Sequence, residues 1–218
     1  LVARSPEPIA ILGAGRTDAG VHARGMVAHV DLPMSPDEAR QLIYRTDRYL
    51  PHDIALYDIR PVREEAHARF SATSRTYRYY VTLRKDPFQE ARMLRLYFPL
   101  DFDRMNEAAG RLKDFTDFTS FSKLHTDVKT NNCRVTEAYW QAGAEEGQWI
   151  FTITADRFLR NMVRAVVGTL FQVGKGRLSV EDFCAVIEAK DRGQAGSSAP
   201  AHALYLEQVG YPEDLYLD

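Results

Sequence analysis

Residues 13–23 read GAGRTDAGVHA, and this stretch places an arginine and an aspartate two positions apart among three glycines. Glycine adopts positive φ without strain and lets a large ligand approach the backbone, so the stretch predicts a loop. A short apolar run at residues 9–12 precedes it, and residues 26–32 resume the alternating character of a strand. We therefore expect Asp18 on a loop between two strands. Two interpretations of this carboxylate stay open, an ordinary turn former and a catalyst.

The composition predicts a soluble globular protein. Its 218 residues are 45% hydrophobic and 27% charged, which suits one large or two small domains with a buried core. No apolar run approaches the ~20 residues of a membrane span, and no signal peptide opens the chain. We expect a cytoplasmic protein without a membrane partner.

Cofactor and metal motifs are missing from the sequence. The two cysteines, Cys133 and Cys184, are far apart, and the six histidines are scattered without a ligand spacing. The glycine-rich stretch matches neither the GxxxxGK[ST] nor the GxGxxG pattern of nucleotide-binding loops. We predict no metal and no cofactor.

Basic residues are concentrated in two segments, although the net charge is −2. Residues 69–95 hold seven basic against two acidic residues, and residues 157–177 hold five basic residues and no acid. Such segments suit the phosphate-facing surface of a nucleic-acid binder, and they equally suit solvated faces without a partner.

Local signals predict the main elements. A capping box at Ser35 and Glu38 starts a helix that ends before Pro51, and Asp101 or Asp103 caps a second helix that runs to about residue 113. Strands are expected at residues 54–59 and 77–83, with Tyr77 heading an apolar row and Arg78 on the other face. A polar loop is expected at residues 123–132.

The C-terminal half predicts a hairpin followed by helices. Residues 133–141 and 149–155 form the hairpin, and a helix at residues 157–173 places Arg157, Arg160 and Arg164 on one face. A further helix begins after Ser179, and residues 203–209 form the last strand. Mixed helices and strands with a hairpin predict an α+β fold rather than a doubly wound parallel sheet.

Several strings resemble the tRNA pseudouridine synthase A (TruA) family. They are GRTDAGVH at residues 15–22, HARFSAT at 67–73, RTYRY at 75–79, MVRAVVG at 162–168 and APAHALYL at 199–206. The first runs for eight residues without a break and is specific. The resemblance implies an RNA-modifying isomerase and covers residues 8–212.

The resemblance also implies roles for individual residues. Asp18 would be the catalytic carboxylate, Tyr77 would stack on the target base, and Arg164 would pair with Asp18. Without the resemblance, Tyr77 reads as a core aromatic and Arg164 as part of a solvated helix face. Arg16 would occupy the space left by the flipped base, and the implied RNA-binding residues are Arg16, His22, Arg69, Arg75, Arg78 and Arg160.

The implied architecture is two ferredoxin-like (RRM-like) halves with abutting, mostly antiparallel sheets and a central cleft. We expect the halves at residues 1–70 and 71–218, the first without its first strand and helix. The implied substrate is the tRNA anticodon stem-loop at positions 38, 39 and 40, bound by a homodimer. Two other classes stay open, a non-catalytic RNA-binding module and a carboxylate-dependent nucleoside hydrolase.

Overall fold

Three helices begin at the caps that the sequence predicts. The computed structural model describes residues 8–123 and 130–217. Helix α1, Pro36–Thr46, opens with the capping box of Ser35 and Glu38, and Asp101 caps helix α2, Phe102–Arg111. Helix α4, Val180–Glu188, opens with a second capping box from Ser179. These predictions are confirmed. Each cap accepts a backbone N–H group that the first helical turn leaves unpaired.

Helix α3 begins later than predicted. It spans Met162–Gly174 and follows Asn161, whose φ of 67° lies in the left-handed region. The Asp156 carboxylate accepts the N–H groups of Arg134 and Arg157, which holds the preceding residues in a turn. The predicted helix at 157–161 is therefore wrong, and so is the single helical face formed by Arg157, Arg160 and Arg164.

The chain forms two units, and the first has little core. It comprises the described residues up to Gly15, Val27–Ala72 and the residues from Tyr211 onward. Strand β1, Leu12–Gly13, pairs antiparallel with strand β3, Ala28–His29, and both are shorter than predicted. The strand predicted at residues 54–59 is wrong, since no neighbouring strand pairs with this segment among the described residues. The only buried hydrophobic residues described in this unit are three alanines, Ala14, Ala39 and Ala68.

The second unit contains a six-stranded sheet. It comprises the described residues of Arg16–Met26 and Thr73–Gly210. The strands are β2 His22–Ala23, β4 Ser74–Thr82, β5 Leu94–Arg95, β6 Val135–Ala142, β7 Gln148–Ala155 and β8 Leu204–Gly210. Their order in the sheet is β2-β8-β4-β7-β6, and the short β5 pairs with the end of β4.

Most strands of this sheet are antiparallel. Only β2 with β8 and β4 with β5 pair in parallel among the described strands. The hairpin predicted from the chain is β6 and β7, and the last predicted strand is β8. The α+β class is therefore confirmed.

Helices α2 and α3 cover one face of the six-stranded sheet, and α4 packs against these two helices. Tyr79 and Val81 of β4 are fully buried there, together with Phe151 and Ile153 of β7. Met105, Ala108 and Ala109 of α2 and the adjoining Leu112 are all inaccessible to solvent. Burial of such side chains stabilises a protein by about 1.5–3 kcal/mol for each large residue, so most of the hydrophobic stabilisation lies in this unit.

Of the polar loop predicted at residues 123–132, residues 124–129 lie outside the described residues. In the described part of the chain, each helix is too short or too polar to cross a lipid bilayer.

Candidate active site

Asp18 lies on the loop between β1 and β2, and the backbone of that loop closes a turn around it. The Val21 N–H donates to the Asp18 carbonyl at 3.1 Å. Gly20 has φ of +82°, which a residue with a side chain adopts only under strain. A β-carbon there would meet Ala201 at an ordinary 3.5 Å, so the conformation rather than the space requires glycine.

Arg164 contacts the Asp18 carboxylate directly. Its Nη1 donates to Oδ2 of Asp18 at 2.9 Å, and the two side chains are 22% and 26% exposed. Its Nε donates to the carbonyl of Ala199 at 2.7 Å. The carboxylate is thus held by a guanidinium that is itself fixed at a second point, and one edge of Asp18 remains accessible. The structure brings together these two residues, 146 positions apart.

A segment that we call the strap, residues 195–200, holds Arg164 in place. Ala199 returns the contact by donating its N–H to the Arg164 carbonyl at 2.9 Å. The N–H of Gly196 donates to the Thr169 hydroxyl at 2.9 Å, which ties the strap to the middle of α3. A β-carbon on Gly168 would lie 1.8 Å from the Ser197 carbonyl oxygen, so only glycine permits this approach.

Three side chains from outside the strap complete its hydrogen bonding. Asn161 donates to the Ser198 hydroxyl at 2.6 Å, and Arg192 donates to the same hydroxyl at 3.0 Å and to the Gly196 carbonyl at 3.2 Å. The Tyr79 hydroxyl donates to the Pro200 carbonyl at 3.0 Å. Every one of these bonds restrains the backbone that accepts the Arg164 Nε–H.

Tyr77 lies on β4 near the same carboxylate. Burial raises the pKa of its hydroxyl; Arg75 lowers that pKa and the Asp18 carboxylate raises it. Its ring meets the ring of Phe158 edge to face, with centroids 5.2 Å apart at 86°. Tyr77 therefore stays protonated near neutral pH, and Phe158 fixes the orientation of its ring.

The six predicted RNA-binding residues are distributed over the chain. Arg16 is exposed on the loop of Asp18, and Arg160 is exposed in the turn before α3. Arg75 donates to the Asp156 carbonyl at 2.8 Å. His22 and Arg78 stand next to β8, where His22 stacks on Tyr205 and Arg78 pairs with Glu207. Arg69 belongs to the first unit, with its guanidinium 5.6 Å from the Phe70 ring.

Comparisons with known proteins identify the family. A family model described as tRNA pseudouridine synthase matches residues 112–212. A protein named tRNA pseudouridine synthase A from Porphyromonas gingivalis is 65% identical over 97% of this chain and 84% of its own length. The chain belongs to the tRNA pseudouridine synthase A family. Relatives of the same name from Bacteroides fragilis and Bacillus subtilis are 54% and 39% identical, over 94% and 95% of this chain and 81% and 84% of their own lengths.

Two parts of this candidate site were not predicted from the sequence. In the sequence, Phe158 is one of several apolar residues with no distinguishing pattern. Its ring reaches Tyr77 only because the chain turns ahead of α3. The strap reads as a small polar loop. The sequence signal for its position is a glycine inside a helix, Gly168, together with the small residues of the strap. Small residues on both segments permit the two backbones to approach closely.

Proposed function

We propose that this chain isomerises uridine to pseudouridine in the anticodon stem-loop of tRNA, at positions 38, 39 and 40, with Asp18 as the reacting carboxylate. Its family membership makes it a tRNA pseudouridine synthase, an isomerase. The observation that carries the assignment of Asp18 is its contact with Arg164, at 2.9 Å on a restrained guanidinium.

The chemistry requires a carboxylate placed beside a ribose. The reaction breaks the bond from C1′ to N1 of uracil, turns the base and forms the bond from C1′ to C5, so the atoms of the substrate are conserved. An ionised carboxylate can attack the sugar, attack the base or remove a ribose proton. Arg164 suits all three roles, because its guanidinium is always charged and orients the carboxylate.

Tyr77 and Arg16 complete the catalytic proposal. The target uridine leaves its stack at a cost of a few kcal/mol, and stacking on the Tyr77 ring returns about 1–3 kcal/mol. Phe158 supports that ring from the side. Arg16 is exposed two residues before Asp18 and enters the space that the base vacates.

The remaining elements of the proposal concern RNA binding and assembly. His22, Arg69, Arg75, Arg78 and Arg160 contact the RNA, mainly through its phosphates. The chain acts in the cytoplasm as a homodimer in which one tRNA touches both subunits. Residues 1–70 and 71–218 correspond to two ferredoxin-like halves. The sequence resemblance supports these points.

A single assay tests the reaction and the residue. Unmodified transcribed tRNA is incubated with the wild type, with Asp18→Asn and with Glu107→Gln, an exposed acid on α2 that serves as the matched control. We expect pseudouridine from the wild type and the control and none from Asp18→Asn, which still binds tRNA. Free uracil would indicate a hydrolase. Binding without either product from the wild type would indicate a non-catalytic RNA-binding module.

A further inference from the structure

The second face of the six-stranded sheet carries a cluster of aromatic and basic side chains. On β4, Arg78 and Tyr80 alternate with Tyr77 and Tyr79, so they lie on the face opposite α2 and α3. The strand register places Arg78 directly opposite Tyr205 of β8, and Tyr205 opposite His22 of β2. We define the aromatic-basic cluster as His22, Arg24, Arg78, Tyr80, Tyr205 and Glu207.

The rings of the cluster form a stacked platform. The His22 imidazole lies on the Tyr205 ring with centroids 4.6 Å apart and planes at 21°. Tyr80 meets Tyr205 edge to face at 5.0 Å, and the Tyr205 hydroxyl donates to the Arg92 carbonyl at 3.1 Å. Tyr205 is only 7% exposed, whereas His22 lies at the surface. The buried tyrosine thus orients an exposed imidazole.

The cations of the cluster outnumber its acid. The Arg24 guanidinium lies over the rings of Tyr80 and Tyr205, 5.5 and 5.1 Å from their centroids. Arg24 and Arg78 both donate to the same oxygen of Glu207, at 3.3 and 3.4 Å. Two guanidiniums therefore share one carboxylate, and the Arg24 side chain remains 57% exposed. This arrangement attracts an anion to Arg24 beside an exposed ring.

We propose that the aromatic-basic cluster is a separate contact for single-stranded RNA, in which an unpaired base stacks on His22 and Arg24 binds the adjoining phosphate. This inference rests on the proposed function, since it assumes that the substrate is RNA, and it adds Arg24 and the Tyr205 support to the residues named above. RNA is favoured over a protein partner because open sheets that carry aromatic and basic residues suit splayed bases and phosphates. An apolar protein interface would have few such charges at its centre.

The test measures the salt dependence of binding to an unmodified tRNA transcript between 50 and 200 mM salt. Arg24→Gln removes one cation, so we expect the slope of log affinity against log salt to fall by about 0.7–0.9. The ratio of wild-type affinity to variant affinity should then fall by about threefold between 50 and 200 mM salt. Arg24→Lys should retain the slope. Arg104→Gln, an exposed arginine on α2, is the matched control and should leave binding unchanged.

Substitution of His22 tests the stacking of an unpaired base on its imidazole. His22→Ala should weaken tRNA binding by about 5- to 150-fold at constant slope, because it removes the stacking of a base without removing a phosphate contact. Both His22→Ala and Arg24→Gln should raise KM more than they lower kcat. Thermal unfolding of each variant checks that the fold is kept.

Two outcomes would overturn the inference. Wild-type affinity and slope in folded Arg24→Gln and His22→Ala would do so, and would also remove His22 from the proposed RNA contacts, while pseudouridine formation and the proposed role of Asp18 stand. A change of oligomeric state in sedimentation, with tRNA affinity intact, would assign the cluster to contact between copies of this chain. Failure of the wild type to form pseudouridine would instead contradict the proposed function itself.

Discussion

Substitution of Gly168 by alanine tests whether the strap sets the position of Arg164. A β-carbon at this site would lie 1.8 Å from the Ser197 carbonyl oxygen and 3.3 Å from the Ala199 nitrogen. The obstructing atoms belong to backbone, so no side-chain rotation relieves the clash. Either the strap or α3 has to move, and the Ala199 carbonyl moves with the strap.

The expected effect on stability combines two opposed contributions. Alanine in a helix interior gains about 1 kcal/mol over glycine. Overpacking at a tightly packed contact costs about 1–3 kcal/mol and more where backbone has to shift. We therefore expect Gly168→Ala to lower the free energy of unfolding by roughly 1–2 kcal/mol. In α2, a β-carbon at the half-buried Gly110 meets no atom within 4 Å, so Gly110→Ala should raise the free energy of unfolding by up to about 1 kcal/mol.

The effect on activity follows from the anchor of Arg164. The bond from its Nε to the Ala199 carbonyl, 2.7 Å long, is charge-assisted and contributes about 1.5–3 kcal/mol. If displacement of the strap weakens this bond, kcat should fall about 10- to 100-fold while tRNA affinity stays close to that of the wild type. Pseudouridine formation at saturating tRNA, measured well below the unfolding temperature, checks this result.

Comparison of the two alanine variants makes the outcome decisive. Equal stability and wild-type turnover in Gly168→Ala and Gly110→Ala would refute the close approach between α3 and the strap. Loss of stability in Gly168→Ala with unchanged kcat would keep the packing and refute the positioning of Arg164 by the strap.

Two further predictions concern Tyr77 and Asp117. Burial raises the pKa of Tyr77, so its hydroxyl stays protonated through the neutral range; Tyr77→Phe should keep tRNA affinity, whereas Tyr77→Ala should lose about 1–3 kcal/mol of binding in a filter assay. The Thr119 hydroxyl lowers the pKa of Asp117, and Lys190 adds to this effect. The stabilisation is therefore present above the unfolded pKa of about 3.9 and is lost as pH falls through the lower folded value. When the unfolding midpoint is measured as pH is lowered, the midpoint of Asp117→Asn should fall less steeply than that of the wild type. An identical fall in both proteins would contradict this assignment.

Local signals predicted the elements whose causes are local. The caps at Ser35, Asp101 and Ser179 work within one helical turn, so the sequence contains all that is needed to place them. The alternation in β4 and the turn of the hairpin β6 and β7 are equally local. The start of α3 was not predictable in this way, because Asn161 takes its left-handed conformation while its side chain bonds to Ser198, 37 positions away.

The same distinction between local and long-range causes applies to the candidate site. Glycines around Asp18 predicted its loop, yet spacing and charge alone left the carboxylate as either a turn former or a catalyst. The pairing with Arg164 came from the family resemblance, since no local pattern relates residues 146 positions apart. Phe158 and residues 195–198 of the strap lie outside the matched strings, and only tertiary packing brings them to the site.

Strand β4 contributes residues to both proposed sites because a strand presents alternate residues to opposite faces. Tyr77 faces the helices and the Asp18 carboxylate, and its neighbour Arg78 faces Tyr205 and Glu207. A shift of register by one residue would exchange these faces and destroy both sites. The pairing of β4 with β8 shifts register between Thr76, which lies opposite Gln208, and Tyr77, which lies opposite Leu206. This shift therefore determines which residues of β8 lie opposite the following residues of β4. Substitutions at His22 and Arg24 lie outside β4, so they separate the proposed RNA contact from the proposed chemistry at Asp18 in a way that substitutions within β4 do not.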